Sequence, residues 1–222
     1  MKVLVTAGGT EEPLDGVRRL VNASTGATGL ILAKHLCARG MEVCLLHSER
    51  VDAGGVACDT EVFLSFDSLA ASLQRLLGNQ HFDAVIHLAA VGDYHLHSIE
   101  VDGEVVTNSG RGKISTGHEL VLRLRPNPKL IDSLRGWSMN PDLTIVGFKL
   151  TDEPETAARL TQVQSLLERG VADLVVHNDI NEISRQQHIA TVYSADGELL
   201  ITRTKKQLAG ALFGLLAGGE TA

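Results

Sequence analysis

The stretch from residue 22 to residue 29 carries residue types that hold a phosphate group. It reads Asn-Ala-Ser-Thr-Gly-Ala-Thr-Gly and stands where a helix is predicted to begin. Hydroxyl groups, glycines and the N–H groups of a helix N-terminus together suit an anion. The same residues would also serve as an ordinary helix cap with close backbone packing at Gly26 and Gly29. Spacing alone leaves both interpretations open.

Four polar or small-residue segments directly follow predicted buried strands: residues 6–10, 89–94, 147–149 and 178–179. In an open parallel sheet, ligands bind beyond the carboxyl ends of the strands, where the strand order reverses. We therefore expect the four segments to converge on one edge of the sheet and to form a binding site there.

The first of these segments is not a dinucleotide-binding fingerprint. That fingerprint runs Gly-x-Gly-x-x-Gly straight from a strand into a helix, whereas residues 8–9 are followed by a long detour. An oxidoreductase of the short-chain dehydrogenase type is one alternative. Its Tyr-x-x-x-Lys proton relay is missing, because Ser98 stands four residues after Tyr94 and Gly197 four residues after Tyr193.

The histidines and cysteines do not form a metal-binding pattern, and no metal ligands are predicted. His95 and His97 could present both rings on one face of a strand, but a third ligand at a suitable spacing is not evident. The cysteines, Cys37, Cys44 and Cys58, are odd in number and lack zinc-like spacing. They indicate reduced thiols in a cytoplasmic protein.

Length and composition indicate a single α/β domain spanning residues 1–222. Apolar residues make up 44% of the 222 residues, and aromatic residues only 4%, so the core must consist mainly of aliphatic side chains. The net charge of −7 argues against a nucleic-acid partner held by general electrostatics. We expect no membrane span, because no apolar run reaches the roughly 18 residues that a span needs.

The first half of the chain alternates between strands and helices. Strands are predicted at residues 2–6, 42–47 and 83–88, and helices at residues 25–39 and 67–77, the latter capped by Ser65 or Asp67. Such a βαβαβ alternation predicts a doubly wound, mostly parallel sheet of the Rossmann-like type.

The remainder adds one excursion to this pattern. Residues 95–124 are polar and glycine-rich and predict a flap or hairpin that leaves the sheet. The later elements are a short helix at 128–134, a strand at 143–150, a helix at 154–169, a strand at 172–177, a hairpin at 189–202 and a closing helix at 205–217.

Seven motifs in this order resemble the phosphopantothenoylcysteine synthetase (phosphopantothenate–cysteine ligase) family. The first, residues 5–18, reads V-T-A-G-G-T-E-E-P-L-D-G-V-R and is the most specific. The others are N-A-S-T-G at 22–26, A-A-V-G-D-Y at 89–94, K-I at 113–114, N-P-K-L-I at 127–131, V-G-F-K-L at 146–150 and N-D at 178–179. The resemblance covers about residues 2–205 and is closest to the stand-alone bacterial form.

The resemblance implies a two-step ligase of coenzyme A biosynthesis. The carboxylate of 4′-phosphopantothenate attacks the α-phosphorus of a nucleoside triphosphate, giving an acyl-nucleotidylate and pyrophosphate, and the amine of L-cysteine then displaces the monophosphate. CTP is favoured over ATP as co-substrate, with Mg²⁺ on its phosphates. A homodimer is also implied, with the 95–124 segment crossing between subunits.

The resemblance also assigns roles residue by residue. Asn22 and Lys113 are the implied catalytic residues. The implied nucleotide-binding residues are Gly8, Gly9, Ser24, Gly26, Gly29, Ala89, Asp93, Pro128, Lys129, Leu130, Ile131, Phe148 and Arg169. The implied substrate-binding residues are Asn22, Ala89, Ala90, Asp93 and Asn178.

This chain departs from the family pattern at three places. The flap motif has Ser115 and Thr116 where the family carries lysines, and Arg111 is a possible substitute. Ala27 replaces a lysine, and His177 replaces an alanine. These departures keep a non-catalytic nucleotide-binding paralogue as a second alternative.

Overall fold

A computed structural model describes residues 1–106, 112–184 and 187–218 of the chain. These residues form thirteen strands and five α-helices. The strands are β1 (Lys2–Ala7), β2 (Glu11–Pro13), β3 (Arg19–Val21), β4 (Glu42–Ser48), β5 (Asp59–Phe63), β6 (Ala84–His87), β7 (Tyr94–Val101), β8 (Glu104–Val106), β9 (Leu120–Pro126), β10 (Thr144–Thr151), β11 (Leu174–Asp179), β12 (Ala190–Ser194) and β13 (Gly197–Thr202). The helices are α1 (Ala27–Ala38), α2 (Phe66–Asn79), α3 (Leu134–Trp137), α4 (Thr156–Glu168) and α5 (Lys205–Leu216).

Eight of the described strands form one central sheet in the order β13-β12-β11-β10-β6-β1-β4-β5. The strands from β11 to β5 are parallel to one another, and β12 and β13 add an antiparallel edge. From β1 the chain steps outward to β4 and β5, then returns to the other side of β1 for β6, β10 and β11. This reversal makes the sheet doubly wound and confirms the predicted fold class.

Helices cover both faces of the sheet. On one face, α1 and α5 bury Leu36 and Leu212 in a cluster that includes Ile86 of β6. On the other face, α2 and α4 contribute Leu73 and Val163 to a second cluster. Since the inner strands are covered on both faces, they read as continuous aliphatic runs, as fully buried parallel strands do.

Ser65 is the N-cap of α2, which decides between the two residues that the sequence left open. Its hydroxyl accepts from the backbone N–H of Ser68 at 3.3 Å, and the Ser68 hydroxyl accepts from the N–H of Ser65 at 2.9 Å. This reciprocal capping box fixes the start of α2 directly after β5.

The predicted excursion is present as a separate three-stranded antiparallel sheet, in the order β8-β7-β9. Strand β7 carries a register shift between Leu96 and Ser98 against β9. Residues 107–111 of the predicted flap lie outside the described residues. Strand β9 is exposed along its whole length and pairs only with β7 among the described strands.

Two features of the fold differ from the sequence expectation. Strands β2, β3 and β5 were not indicated, because β2 and β3 have three residues each and β5 is a sheet edge where only Phe63 is fully buried. The short helix predicted at 128–134 is present only as a 3₁₀ helix of three residues. This tight turn, Leu130–Asp132, is closed by i→i+3 bonds before α3 begins at Leu134.

Candidate functional site

The strand order reverses between β1 and β6, and the loops that follow these two strands remain paired beyond the sheet. Gly9 and Ala90 form a parallel bridge. The N–H of Ala90 donates to the carbonyl of Gly8 at 2.8 Å, and the N–H of Thr10 donates to the carbonyl of Ala90 at 3.1 Å. The carboxyl edge at the switch point is therefore a rigid double loop, the place where this fold class binds ligands.

The buried hydroxyl of Thr6 locks the two strand ends together. Its Oγ1 lies 3.1 Å from Nδ1 of His87 and accepts from the N–H groups of Leu88 at 3.1 Å and Ala89 at 3.0 Å. The hydroxyl of Thr6, the last residue but one of β1, thus fixes the backbone at Leu88 and Ala89. The small side chain of Ala89 therefore faces the open edge of the sheet.

The β2–β3 hairpin brings Asn22 to this edge. It accounts for the long stretch of chain between Gly8-Gly9 and the first helix. The hairpin returns the chain so that the N–H of Asn22 donates to the carbonyl of Thr10 at 3.1 Å. Its side-chain amide donates to the carbonyl of Val91 at 3.3 Å. Gly9 makes this possible, because a Cβ atom there would lie 1.9 Å from the carbonyl oxygen of Asn22.

Helix α1 begins at Ala27, inside the polar stretch and two residues after its predicted start. Gly26 is the N-cap in a left-handed conformation, with φ of 68°, and makes no side-chain capping bond. The first N–H groups of a helix lack intrahelical partners and carry the positive end of its dipole. The glycine places no side chain over this end, and apart from the N–H of Ala27, which donates to the Thr25 hydroxyl at 3.4 Å, the first turn of α1 suits an anion.

Two cavities meet at the sheet edge. The first, which we call the α1 cavity, has a volume of about 480 Å³ and is bordered by the start of α1, Asn22 and Asn178. The second, the α4 cavity, has a volume of about 500 Å³ and is bordered by residues 128–131 and one face of α4. Six residues line both cavities and form what we call the shared wall: Ala89, Val91, Asp93, Lys129, Phe148 and Lys149.

The structure distributes the sequence-predicted site residues over these cavities. In the α1 cavity lie Gly8, Asn22, Ser24, Gly26, Gly29, Ala90 and Asn178. In the α4 cavity lie Pro128, Leu130, Ile131 and Arg169. On the shared wall lie Ala89, Asp93, Lys129 and Phe148. Gly9 and Lys113 line neither cavity, and Gly9 acts instead through its packing against Asn22.

Lys113 is exposed on a segment that docks on the turn between β2 and β3. The carboxylate of Asp15 accepts from the N–H of Ile114 at 3.1 Å, and the guanidinium of Arg18 donates to the carbonyl of Ile114 at 2.7 Å. Bonds from the backbone N–H groups of Arg18 and Val17 lower the pKa of Asp15, so this carboxylate stays charged. Arg111, the possible substitute cation, lies outside the described residues.

Three charged residues of the predicted site, Asp93, Lys129 and Arg169, form ion pairs. The ammonium of Lys129 pairs with Asp93, and the guanidinium of Arg169 pairs with Asp132. The amide of Asn178 donates to the carbonyl of Ile189 at 2.6 Å, which orients its oxygen. These contacts place the side chains before any ligand enters.

A buried carboxylate stabilises the turn next to Asn178. Asp179 is fully buried and accepts from the hydroxyl of Thr151 at 2.6 Å and from the N–H of Asn181 at 3.0 Å, and Arg159 of α4 lies 3.2 Å away. The bond from Thr151 is the largest cause that lowers the pKa of Asp179 far below its usual value. This network ties β10, β11 and α4 together behind the shared wall.

Sequence reasoning missed several cavity residues. Lys149 was placed at the edge but given no role, and His188 was not considered at all. The polar face of α4, including Gln162 and Ser165, was also missed. Only Lys149 carried a usable signal, because it directly follows Phe148 at the end of a buried strand.

Burial keeps His87 neutral at the floor of the α4 cavity. Burial lowers the pKa of His87 from 6.5 to about 4. Protonation of the unfolded chain therefore begins near pH 6.5, whereas the folded protein resists it until near pH 4. The stability that neutral His87 contributes is present above pH 6.5 and is lost as pH falls toward 4, by roughly 3 kcal/mol for a shift of this size.

We expect the free energy of unfolding, measured by urea titration between pH 7 and pH 4.5, to fall less steeply in the His87→Gln variant than in the unmodified protein. His81→Gln is the matched control, because His81 is exposed, with 63% of its side chain accessible. Equal pH slopes for all three proteins would contradict the buried neutral histidine.

A family model shows what kind of domain this is. The model described as "DNA/pantothenate metabolism flavoprotein C-terminal domain" matches residues 1–218. The coenzyme A biosynthesis bifunctional protein CoaBC of Thermococcus kodakarensis is 32% identical over 213 residues, which are 96% of this chain and 50% of that protein. The corresponding Escherichia coli protein is 26% identical over 221 residues, again 96% and 50%. The chain spans about half the length of these curated relatives.

Solved structures agree on the fold. The DNA/pantothenate metabolism flavoprotein from Streptococcus pneumoniae superposes with a TM-score of 0.84 at 29% identity, covering 98% of this chain and 99% of that one. A mutant of Cab2 in complex with phosphopantothenate-cysteine superposes with a TM-score of 0.74 at 19% identity, covering 98% and 87%. The latter likeness supports the fold alone.

Two kinds of feature are absent from the described ranges. No helix there combines the length and apolar character that a membrane crossing requires. No group of three or more His, Cys, Asp or Glu side chains among these residues is arranged to hold a metal ion.

Proposed function

Because the chain belongs to the family of the DNA/pantothenate metabolism flavoprotein C-terminal domain, we propose that it is a phosphopantothenate–cysteine ligase of coenzyme A biosynthesis. The family assignment confirms the resemblance to phosphopantothenoylcysteine synthetases. The observation that carries the proposal is the pair of cavities that meet at the shared wall, because a ligase must hold two large substrates with their reacting atoms in contact.

The nucleotide base enters the α4 cavity. Phe148 offers a ring face on which a base can stack, and residues 128–131 offer backbone groups that can read the edge of a base. The triphosphate extends across the shared wall toward Gly26 and the start of α1. That end of α1 supplies N–H groups and a positive dipole for the outer phosphates.

Phosphopantothenate occupies the α1 cavity beside Asn22, Ala90 and Asn178. Its carboxylate then meets the α-phosphorus at the shared wall. One carboxylate oxygen forms a bond to that phosphorus, the bond to the bridging oxygen breaks, and pyrophosphate leaves with the electron pair. The Asn22 amide lies beside Val91 of the shared wall and can donate to the acyl oxygen.

The second step consumes the acyl-nucleotidylate. The amine of L-cysteine attacks the acyl carbon, the carbon–oxygen bond to the phosphate breaks, and the nucleoside monophosphate leaves while the amine gives up a proton to water. The α1 cavity holds the acyl group against the small side chains of Ala89 and Ala90 during this exchange.

Mg²⁺ is proposed to arrive on the triphosphate. Mg²⁺ typically takes one or two carboxylates together with substrate phosphate oxygens and water. Asp93 is the carboxylate that lines both cavities among the described residues, and it would be the contact for such an ion. When bound, the ion neutralises charge on the phosphates.

The deciding experiment is pyrophosphate release by the purified chain. It is supplied with Mg²⁺, 4′-phosphopantothenate and either CTP or ATP, with and without L-cysteine. We expect release that depends on phosphopantothenate, more strongly with CTP, and phosphopantothenoylcysteine only when cysteine is present. Folded protein that releases no pyrophosphate with either nucleotide would refute the ligase.

A non-catalytic nucleotide-binding paralogue is the second candidate, and the position of Lys113 favours it. Lys113 lines neither cavity, although it is the implied catalytic cation. Such a paralogue would bind the triphosphate but release no pyrophosphate, so the same assay separates the two. The dehydrogenase alternative loses support, because a hairpin rather than a helix follows Gly9.

We further propose a homodimer assembled through β9, in the cytoplasm, where the cysteines stay reduced. Strand β9 offers one unpaired edge, and Leu120, Leu122 and Leu124 on one of its faces are 37–41% exposed. An exposed apolar edge strand is a template for pairing with a second copy.

We expect a Leu122→Asp, Leu124→Asp double variant to run as a monomer in light scattering, while the unmodified chain runs as a dimer. The matched control is Val62→Asp, because Val62 is 53% exposed on the far edge strand β5. A double variant that remains dimeric would place the interface elsewhere.

A further inference from the structure

Three lysine or arginine side chains border the two cavities: Lys129, Lys149 and Arg169. Lys129 is held by Asp93 and Arg169 by Asp132. Lys149 has no carboxylate partner among residues 1–106, 112–184 and 187–218. It is therefore the one cation of these three whose charge is uncompensated while the site is empty.

The position of Lys149 strengthens its attraction for an anion. It lies near the end of β10, directly after Phe148, and is half-buried on the shared wall. Its strand is held on both sides up to Gly147, where the pairing with β6 ends, and Lys149 itself pairs with His177 of β11. A partly desolvated cation on a rigid strand attracts an anion more strongly than a mobile surface lysine does.

We propose that Lys149 is a catalytic residue that binds the α-phosphate and the departing pyrophosphate at the junction of the two cavities. The inference rests on the proposed function. Lys149 on β10 would supply the phosphate-binding charge that the flap of this chain lacks. The flap carries Ser115 and Thr116 where the resemblance leads one to expect lysines, and its remaining Lys113 stands outside both cavities.

The chemistry requires no proton transfer by Lys149. As the carboxylate oxygen bonds to the α-phosphorus and the bond to the bridging oxygen breaks, negative charge builds up on the leaving pyrophosphate. A protonated ammonium donates hydrogen bonds to these oxygens, and it does so more strongly as their charge grows. Groups that act in this way contribute about 10²–10³-fold to a rate.

The test compares Lys149→Met, which keeps the length and loses the charge, with Lys149→Arg, which keeps the charge. Lys206→Met is the matched control, since Lys206 is exposed on α5 and lines neither cavity. We expect Lys149→Met to lower kcat for pyrophosphate release about 100-fold, with the KM for phosphopantothenate nearly unchanged. Lys149→Arg should recover part of the rate, and Lys206→Met should match the unmodified chain.

A binding measurement separates this inference from the proposed function. Calorimetry with a non-hydrolysable triphosphate analogue and with the free nucleoside is run on all four proteins. Loss of a charged hydrogen bond should weaken triphosphate binding by Lys149→Met about 10- to 100-fold, and leave nucleoside binding unchanged. Lys149→Gln repeats the measurement if the methionine variant fails to fold.

The outcomes are distinct. Unchanged rate and unchanged triphosphate affinity in Lys149→Met, or equal losses for the triphosphate and the nucleoside, would overturn the role of Lys149. If the unmodified chain releases no pyrophosphate, the ligase itself fails, and the affinity comparison still decides whether Lys149 holds phosphate. No triphosphate binding by the unmodified chain would refute both.

Discussion

Replacing Asn22 by alanine is expected to lower the rate of phosphopantothenoylcysteine formation about 10²- to 10³-fold, the range found when one donor to a developing oxyanion is removed. The side chain of Asn22 is exposed to the α1 cavity, and its one internal bond, to the carbonyl of Val91, is long at 3.3 Å. The amide is therefore available to a ligand. Since little internal packing is lost, the free energy of unfolding should change by no more than about 0.5 kcal/mol.

Asn22→Asp is the sharper companion variant. It keeps the shape and replaces the amide donor with a negative charge, which repels the substrate carboxylate, so we expect the same loss of product. Asn79→Ala, a change of the same residue type at an exposed position at the end of α2 that lines neither cavity, is the matched control and should retain most activity. Either Asn22 variant with normal turnover would show that the predicted role of this amide is mistaken.

Replacing Gly9 by alanine is expected to lower the rate by a similar factor of about 10²–10³, although Gly9 lines neither cavity. The added Cβ atom would lie 1.9 Å from the backbone carbonyl oxygen of Asn22, which cannot move without breaking the bond between Asn22 and Thr10. The strain should displace the Asn22 amide from the shared wall. Overpacking of this kind also destabilises a fold by about 1–3 kcal/mol.

Gly210→Ala is the control for this change. Gly210 lies in α5 with nothing within 4 Å of an added Cβ atom, so alanine should be tolerated there and should slightly strengthen the helix. Activity and the free energy of unfolding are measured on both variants. A Gly9→Ala protein with full activity would mean that the hairpin can retreat without moving Asn22.

Most of the fold follows from sequence patterns that a single strand or helix carries by itself. The buried strands β1, β4, β6, β10 and β11 are aliphatic runs, and α1, α2, α4 and α5 have the expected helical spacing. Strand β5 was not predicted because an edge strand needs little apolar surface. Strands β2 and β3 are too short to show the two-residue alternation of a strand. The 3₁₀ helix at Leu130 was not distinguished from an α-helix, since one turn of either looks alike in sequence.

The site was predictable only in part, for a physical reason. The motifs identify which residues face the carboxyl edge of the sheet. The division of that edge into the α1 and α4 cavities depends on the positions of β6 and β10 between β1 and α4 in the folded chain. The pairing of Lys129 with Asp93 joins residues 36 positions apart, and that of Arg169 with Asp132 joins residues 37 apart. Such pairs leave no local pattern, so the free charge of Lys149 could not be recognised from sequence.

The lock between Thr6 and His87 also bears on how the protein folds. These residues are 81 positions apart, and the bond from Gly92 to Thr10 spans 82. On the ribosome, the glycine turn after β1 emerges long before the strand that must hold it. Parallel pairing over such separations is slow, because loop closure precedes the contacts that reward it. Ligand binding should therefore appear in refolding experiments together with the slowest phase, when the whole sheet has closed.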